Sequence, residues 1–268
     1  MNGTIGFIGC GNMGGALARA VAKAVPAEQI LLANRTPEKA ERLAAELGAQ
    51  VSDSQTIART CRYVFLGVKP YMLQELLSSI LPALKSQASR PVLVSMAAAT
   101  PVSKFRDMTN DFSWPVIRIM PSTPVAVGQG ITQYCSLNVK EADMADFLTM
   151  MAPSGLLDPM PDSQIDAANC LSGCGPAFAC LFMEGLADGA VACGLPRDKA
   201  NVYAAQMLLG TAALALETGL PFGQLKDQVC SPGGVTIQGV RALEKAGLRS
   251  AAMEAVIAAV KKTEKMKG

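Results

Sequence analysis

Apolar and polar residues follow two different patterns along the chain, and the change between them lies near residue 160. Before it, short apolar runs are separated by stretches with helical spacing, which predicts alternating strands and helices. The predicted strands are Thr4–Gly9, Ile30–Ala33, Tyr63–Val68, Val92–Met96 and Val116–Met120. The predicted helices are Asn12–Val25, Pro37–Leu47 and Tyr71–Leu84. This alternation favours an α/β fold with a doubly wound, mostly parallel sheet and helices on both faces.

The remainder of the chain shows no convincing strand. Its predicted helices are Ser163–Cys193, Arg197–Thr218, Pro221–Val229, Thr236–Ala246 and Ser250–Lys265. We therefore predict two domains, residues 1–160 and an all-α domain over residues 161–268. The first of these helices contains CGPAFACLFMEGLADGAVACG, which is apolar around most of its circumference and must be buried on all sides. Because a domain of this size can hardly bury such a helix alone, the pattern predicts a homodimer through the C-terminal helices.

Composition narrows the function classes. The net charge is +2, and aromatic residues make up only 5%, so a nucleic-acid partner is not expected. The longest uncharged stretches, 167–183 and 200–216, fall short of the ~18 apolar residues of a membrane span, so no membrane partner is expected either. No basic segment followed by a long apolar run begins the chain. Eight scattered cysteines without a CxxC pair indicate a reducing cytoplasm and no disulfide framework.

The sequence contains no histidine. This excludes a Ser-His-Asp triad, a histidine-paired cysteine nucleophile and most zinc sites, and it removes the commonest acid–base catalyst. We predict no metal centre. Any chemistry must use a cofactor, backbone amides, hydroxyl groups, lysines or carboxylates.

A glycine-rich loop follows the first predicted strand and opens the first predicted helix. It reads Gly9-Cys-Gly11-Asn-Met-Gly14 and fits the G-x-G-x-x-G pattern of a dinucleotide-binding Rossmann domain. Glycines permit the tight turn, and the helix N-terminus offers amides to a pyrophosphate. The candidate cofactor residues here are Gly9, Gly11, Asn12, Met13 and Gly14. The alternative is a tight strand–helix turn without a ligand.

The end of the second strand bears on the choice of cofactor. An acidic residue there would typically bind the ribose 2′-hydroxyl of NADH, but this chain has Asn34 and Arg35. Arg35 can donate two hydrogen bonds to a 2′-phosphate, and Lys39 lies one turn into the next helix. We therefore favour NADPH, with NADH as the alternative cofactor, and take Asn34 and Arg35 as cofactor-binding. The competing interpretation of Arg35 is a solvated surface charge.

Two later strands end in further candidate residues, because ligands bind beyond the carboxyl ends of the strands in such a sheet. Val68, Lys69 and Pro70 end one strand, where Lys69 is either a proton donor or a solvated rim lysine. Ala97 and Ala98 end the next and would allow the nicotinamide to approach closely, although small residues equally suit packing. Arg118 lies within its strand, which suits a structural role.

Six motifs then occur in one order along the chain: GFIGCGNMGGAL, LGVKP, SMAA, RIMPSTP, SGCGPAF and CSPGGVT. Together they closely resemble pyrroline-5-carboxylate reductase over essentially the whole sequence, and residues 225–244 are the most specific part. The resemblance implies reduction of Δ1-pyrroline-5-carboxylate to L-proline, the final step of proline biosynthesis, by an NAD(P)H-dependent oxidoreductase. It also implies interlocked dimers that commonly assemble into a decamer, with the active site between one cofactor domain and the helices of the dimer.

The chain departs from that family at several positions. It has Cys174 and Phe178 where the family often has hydroxyl-bearing residues, Ser122 where it often has asparagine, and Ala97-Ala-Ala99 where it often has AAG. None of these changes removes a group that the chemistry requires, but no hydroxyl remains at 174 or 178.

The second glycine-rich loop is the predicted substrate site. Its free amides precede a helix, so they can hold one carboxylate, and the resemblance supports Thr236 as the catalytic hydroxyl directed at the ring nitrogen. The candidate substrate-binding residues are Ser231, Gly233, Gly234, Val235 and Thr236. The alternative is an ordinary helix–helix turn, because Ser-Pro-Gly-Gly is typical of turns.

Two other function classes remain open at this stage. A β-hydroxyacid dehydrogenase or a general imine reductase has a similar two-domain build. The hydroxyacid enzymes need a proton acceptor, and Lys199 and Lys226 are available but lie in no matching motif. A dinucleotide-sensing scaffold would keep the first glycine loop but would have no reason to keep a second anion-binding loop.

Overall fold

A computed structural model describes residues 3–266 of the chain, and its strands form one eight-stranded sheet. The strands are β1 Ile5–Ile8, β2 Ile30–Ala33, β3 Gln50–Val51, β4 Tyr63–Leu66, β5 Val92–Ser95, β6 Val116–Pro121, β7 Gly130–Leu137 and β8 Gly155–Pro159. Their order in the sheet is β3-β2-β1-β4-β5-β6-β7-β8. Every neighbouring pair is parallel except β6 and β7. The predicted α/β class with a mostly parallel sheet is confirmed.

The helices fall between the strands and then follow one another to the end of the described chain. They are α1 Asn12–Val21, α2 Pro37–Leu47, α3 Ser54–Thr60, α4 Pro70–Lys85, α5 Lys104–Thr109, α6 Glu141–Met151, α7 Asp162–Ser172, α8 Gly175–Ala192, α9 Arg197–Thr218, α10 Phe222–Val229, α11 Val235–Lys245 and α12 Leu248–Lys265. Over the described residues no strand follows β8, as the sequence predicts.

Helices cover both faces of the sheet because side chains alternate along each strand. Phe7 of β1 belongs to an apolar cluster with side chains of α1, α2 and α6. Ile8, the next residue, belongs to a second cluster with side chains of α3, α4 and α5. The two clusters form the core of the α/β region on opposite sides of the sheet.

One predicted helix is in fact two. The stretch predicted as Ser163–Cys193 is interrupted between α7 and α8 at Gly173 and Cys174. Pro176 explains the break, since it has no amide hydrogen to donate to the carbonyl of Ser172 one turn earlier. By length and composition alone, Asp162–Ala192 could cross a membrane, but helices in the cores of soluble proteins meet the same criteria.

The helix α7 is attached to the sheet by a buried ion-pair cluster. Arg118 on β6 is fully buried, and its guanidinium pairs with Asp162 at 2.7 Å and with Asp166. The second oxygen of Asp162 accepts a hydrogen bond from the amide of Val102 at 3.1 Å. Removing one partner from such a cluster would leave an uncompensated buried charge, so these groups fix where α7 begins.

The chain divides into two compact units. The first extends to Cys174 and includes the end of the chain from Ala259, and the second is Gly175–Ala258. The predicted domain boundary at 160/161 stays a prediction, and it precedes this division by 14 residues.

The second unit has little core of its own. Its apolar cluster buries three alanines, Ala187, Ala200 and Ala204, with larger side chains only partly buried around them. Many large apolar side chains of α8 to α12 are exposed, among them Leu181, Val202, Tyr203, Met207, Leu209, Leu214, Leu216, Phe222 and Met253.

Candidate active site

Three glycines let the ends of β1 and β4 approach each other at backbone distance. Gly9 has a φ of +108°, and a Cβ there would lie 2.4 Å from the carbonyl oxygen of Gly67. A Cβ on Gly14 would lie 2.0 Å from the carbonyl oxygen of Gly9. No larger residue fits at these positions without moving the backbone, so these glycines shape the loop from inside the protein.

Gly11 is different, because nothing in the protein lies within 4 Å of the position its Cβ would take. Its φ of −72° is ordinary for any residue. It precedes α1, whose first turn has no capping side chain, so the amides there remain open to a ligand. A side chain at Gly11 would occupy open space beside those amides, which is the space that a pyrophosphate bound to the helix N-terminus requires.

A cleft of about 740 Å³ opens beside this loop at the carboxyl ends of β1, β2 and β4. Six predicted cofactor residues line it: Gly9, Gly11, Asn34, Arg35, Val68 and Lys69. The other predicted cofactor residues do not line it. Asn12 is exposed at the start of α1, Met13 packs against the core, Gly14 is buried, Pro70 begins α4, Ala97 is buried and Ala98 is half-buried.

Asn34 holds two loops together. Its side-chain oxygen accepts a hydrogen bond from the amide of Cys10 at 2.9 Å, and its side-chain nitrogen donates to the carbonyl of Thr36 at 2.9 Å. The amide group therefore joins the glycine loop to the turn after β2. This anchoring role is one that the sequence analysis did not foresee.

Cys10 lies within the glycine loop but is not a nucleophile. Its thiol is buried near the carbonyl of Ala33 at 3.5 Å, and burial raises the pKa of the Cys10 thiol to about 11. The thiol is therefore protonated at neutral pH. All eight cysteines are free, and the described residues contain no group of three metal-ligating side chains.

The charge at the end of β2 favours an anion, although the exposed Glu75 of α4 also lines the cleft. Arg35 and Lys39 line it, are exposed and form no ion pair within residues 3–266. Asp53 also lines the cleft, but its carboxylate caps α3 by accepting from the amides of Gln55 and Thr56. The hydrogen bond from the Thr56 hydroxyl, with those amides, holds the pKa of Asp53 below its ordinary value. The carboxylate is thus committed to its helix.

Several residues of this cleft escaped the sequence analysis. Gly67 is the clearest, because a lone glycine gives little signal, although its place at the end of a strand could have indicated it. The others are Ile8, Ala33, Thr36, Pro37, Ala40, Val51, Ser52, Asp53, Ser54, Met72, Glu75, Leu76 and Ser79. They come from β1, β2, α2, the region from β3 to α3, and α4, and no motif marks them.

The predicted substrate loop lies in the second unit. Gly233 has a φ of +70°, and the amide of Gly234 donates to the carbonyl of Ser231 at 3.0 Å, which closes a turn before α11. Gly234 caps α11 without a side-chain hydrogen bond. Val235 and Thr236 begin this helix, and both side chains are exposed. The turn that the sequence allowed is therefore present, together with an open helix N-terminus.

The loop after β5 contains a strained residue. Ala99 has a φ of +54°, in the left-handed region that favours glycine. Ala99 occupies a position where the family that the sequence resembles often has glycine. It directly follows Ala97 and Ala98, which are candidate cofactor residues. The backbone here keeps a glycine-type conformation although a methyl group is present.

Two family models match the chain in separate parts. Residues 162–266 match the model described as pyrroline-5-carboxylate reductase dimerisation. Residues 4–99 match the model described as NADP oxidoreductase, coenzyme F420-dependent.

Curated relatives match over nearly the whole chain. A pyrroline-5-carboxylate reductase of Methanosarcina acetivorans is 39% identical, with 99% of this chain and 98% of the relative covered. The Escherichia coli enzyme of the same name is 37% identical, with 99% of each covered.

Solved structures agree with these relatives. A Plasmodium falciparum pyrroline carboxylate reductase with NADP bound has a TM-score of 0.89 at 31% identity, covering 100% of this chain and 99% of that one. An imine reductase from Pseudomonas sp. has a TM-score of 0.56 at 17% identity, covering 98% and 88%, which shows a shared fold alone.

Proposed function

This chain belongs to the pyrroline-5-carboxylate reductase family, and we propose that it reduces Δ1-pyrroline-5-carboxylate to L-proline, with NADPH as the hydride donor and NADH as the alternative donor. One observation of the structure carries this proposal. The cleft at the ends of β1, β2 and β4 combines a glycine that opens outward at Gly11 with exposed cations at Arg35 and Lys39. That combination fits a dinucleotide with an additional phosphate.

The residues around the cleft fit the cofactor in a definite order along the sheet. The open amides of α1 would hold the pyrophosphate, and Arg35 would bind the 2′-phosphate. Lys69 and the small residues Ala97 and Ala98 would border the nicotinamide end. The bound cofactor supplies a hydride, so the protein need only orient the substrate and supply a proton.

The substrate needs a site for one carboxylate and a group near its ring nitrogen. The loop Ser231–Thr236 suits both needs, because the uncapped start of α11 attracts an anion and Gly233 and Gly234 keep side chains out of its way. We assign the carboxylate to the amides of this loop. The hydroxyl of Thr236 accepts a hydrogen bond from an imine that arrives protonated, or it relays a proton from water to an imine that arrives neutral.

The two candidate lysines, Lys199 and Lys226, give little support to the competing hydroxyacid dehydrogenase chemistry. Lys226 pairs with Asp227, and that hydrogen bond raises the pKa of Lys226 above its ordinary value. A proton acceptor needs the opposite shift, toward neutral pH. Lys199 lies in the first turn of α9 and is exposed.

The functional enzyme on this proposal is a cytoplasmic homodimer, joined through α8 to α12, that assembles further into a decamer. The exposed apolar side chains of these helices support the dimer, since soluble chains rarely leave large apolar patches uncovered.

Steady-state assays test the reaction. We expect NADPH-dependent reduction of pyrroline-5-carboxylate, slower turnover with NADH and poor turnover of 1-pyrroline, which lacks the carboxylate. Equal rates for both imines would support a general imine reductase instead, and no turnover with either nucleotide would refute the proposed function.

Variants of the hydroxyl test the catalytic assignment. Thr236→Ala should lower kcat/KM about tenfold or more, because a hydrogen bond to the reacting nitrogen is lost, while Thr236→Ser should retain most activity. Thr60→Ala, which removes an exposed hydroxyl from α3, is the control. Unchanged kinetics in an intact dimer would remove Thr236 from the mechanism.

A further inference from the structure

The loop between β5 and α5, residues 96–103, has a backbone that must be held from outside. It leaves the carboxyl end of β5 and contains the candidate cofactor residues Ala97 and Ala98. Ala99 follows them with a φ of +54°, in the left-handed region. Such a strained conformation persists only where the surrounding structure determines it. An anchor for this loop, which we call the β5–α5 loop, is therefore expected elsewhere in the first unit.

Asp162, the first residue of α7, provides that anchor. Its Oδ2 accepts a hydrogen bond from the amide of Val102 at 3.1 Å, across 60 positions of sequence. Over residues 3–266, the other hydrogen bonds of the β5–α5 loop join residues at most three positions apart, such as the Thr100 hydroxyl with the carbonyl of Ala98 at 3.2 Å. These local bonds turn the chain, whereas the bond to Asp162 attaches it to the rest of the unit.

The other oxygen of Asp162 is held by buried groups. Arg118 donates to Oδ1 from Nη1 at 2.7 Å, and the thiol of Cys135 donates to the same oxygen at 3.5 Å. Burial, together with the charge of Asp162, raises the pKa of Cys135 to about 12, so the thiol keeps its proton. Asp166 engages the second nitrogen, Nη2, of the same guanidinium. The carboxylate of Asp162 is thereby oriented with one oxygen toward this cluster and the other toward the loop.

The sheet itself fixes the position of this cluster. Arg118 of β6 is paired in register with Ser95, the last residue of β5, and its side chain is fully buried. The β5–α5 loop begins at the next residue, so the guanidinium and the loop start from neighbouring strands at the same level of the sheet. A carboxylate bound to Arg118 can therefore hold the loop in a defined position at the strand ends, where ligands bind in such sheets.

We propose that Asp162 is a positioning residue for the nicotinamide end of the cofactor, acting through the amide of Val102. It keeps the β5–α5 loop in the conformation that holds Ala97 and Ala98 at the strand ends, where their small side chains leave room for the ring. The buried cluster serves this role by orienting the carboxylate. The inference rests on the proposed function, which places the nicotinamide beside this loop.

Val102→Pro isolates the hydrogen bond from the charges. The amide of Lys104 donates to the carbonyl of Pro101 at 3.1 Å, so Val102 is the second residue of a turn, a position that favours proline. Proline has no amide hydrogen, so the variant loses the bond to Asp162 and keeps every charged group. Val102→Ala keeps the amide and shortens the side chain, and it is the control.

Two ligands separate the nicotinamide end from the rest of the cofactor without turnover. Full-length protein is titrated calorimetrically with NADPH and with adenosine 2′,5′-bisphosphate, which lacks the nicotinamide. Val102→Pro should weaken NADPH about tenfold and the bisphosphate less than about twofold, whereas Val102→Ala should change neither by more than about twofold. At saturating NADPH, Val102→Pro should also lower kcat about tenfold and leave the KM for pyrroline-5-carboxylate within about twofold, because the loop that binds the substrate is intact.

Asp162→Asn tests the carboxylate directly. An amide has one acceptor oxygen where a carboxylate has two, so it can accept from Arg118 or from Val102 but not from both. The same selective loss of NADPH is expected. Asp143→Asn is the matched control, because Asp143 pairs with Arg62 just before β4, at the opposite end of the strands, and it should leave the binding of both ligands unchanged. Circular dichroism checks the fold of each variant, and either folded variant decides the question.

Four outcomes bear on the role of this carboxylate. Unchanged NADPH affinity in folded Val102→Pro or Asp162→Asn protein would overturn the proposal. Equal weakening of NADPH and the bisphosphate would also contradict it, because a general disturbance of the sheet edge would explain that result. An equal loss in Val102→Ala would assign the effect to the side chain of Val102 instead. A wild-type protein that binds NADPH but reduces no imine would refute the proposed function, whereas a selective loss of NADPH in Val102→Pro would still support the role of Asp162.

Discussion

The two compact units differ in where their large apolar side chains lie. In the first unit, phenylalanines, leucines and isoleucines fill two clusters on opposite faces of one sheet. In the second, the buried cluster is three alanines, and many of the large apolar side chains are exposed. The first unit thus has a large core of its own, whereas the second exposes apolar surface of the kind that an interface would cover.

That difference shows two uses of apolar side chains in one chain. Buried apolar area stabilises a fold in proportion to the surface removed from water. The first unit buries most of its apolar area within one chain. The free energy of unfolding of this unit should therefore be independent of protein concentration. The second unit can bury its exposed apolar side chains only against another surface. The free energy of unfolding of this unit should therefore rise with protein concentration.

The largest expected effect comes from breaking the exposed face of the second unit. Leu209 on α9 is 57% exposed, and Leu209→Asp should raise the dissociation constant of the proposed dimer at least about 30-fold, which corresponds to about 2 kcal/mol. Sedimentation velocity measures the shift. Leu156→Asp in the first unit, at a side chain that is 61% exposed, is the matched control. Equal dissociation in both variants would end the distinction between the units.

A pair of glycines in the first unit sharpens the comparison. Gly67→Ala should cost about 1–3 kcal/mol, because its Cβ would lie 2.5 Å from the carbonyl oxygen of Gly9. Gly11→Ala meets nothing within 4 Å, so it should leave stability nearly unchanged and weaken nucleotide binding. Denaturant unfolding and nucleotide titration separate the two effects. A destabilised Gly11→Ala protein with normal binding would reverse the assignment.

The cap of α3 gives a smaller effect with a defined pH dependence. Asp53→Ala should cost about 0.5–2 kcal/mol at neutral pH through loss of the hydrogen bonds to Gln55 and Thr56. The folded-state pKa of Asp53 is lowered, so its contribution is present above the unfolded pKa and is lost as pH falls through the folded value. Unfolding of wild type and variant should therefore converge in acid. A difference that persists below the folded pKa would exclude the carboxylate as the cause.

The smallest effect concerns Ala99. Its left-handed conformation costs about 1–2 kcal/mol, and glycine would relieve this while losing about 0.4–1 kcal/mol to unfolded-state entropy. Ala99→Gly should therefore stabilise the protein by about 0.5 kcal/mol. Thermal unfolding at several concentrations checks that the gain is independent of assembly. A destabilised variant would mean that the methyl group packs favourably enough to outweigh the strain.

Sequence pattern predicted the elements that carry strong local signals. The bounds of β2, α2 and α9 agree with prediction to the residue, because apolar runs, Pro37 and Gly219 mark them. The pattern missed β7 and β8, whose mixed polar and apolar residues lie at one side of the sheet, and β3, which is only two residues long. It also missed α3, although Asp53 in the N-cap position could have indicated it.

The same distinction between local and long-range signals applies to the residues of the candidate site. Glycine spacing predicted the loop, and strand ends predicted Arg35 and Lys69, which line the cleft, because these predictions follow from local order along the chain. The hydrogen bond from the Cys10 amide to Asn34 and the ion pair of Arg19 with Glu46 join residues 24 and 27 positions apart. Such contacts depend on how helices pack, which no local pattern encodes.

The close approach of Gly9 and Gly67 limits how the cleft at the ends of β1, β2 and β4 can change over evolution. Each would place a Cβ within 2.5 Å of the other's carbonyl oxygen, so the obstruction on both sides is main chain. A second substitution can shorten a side chain but cannot remove a carbonyl. Neither position therefore has a compensating partner, and variation in this part of the cleft must come from residues around the pair.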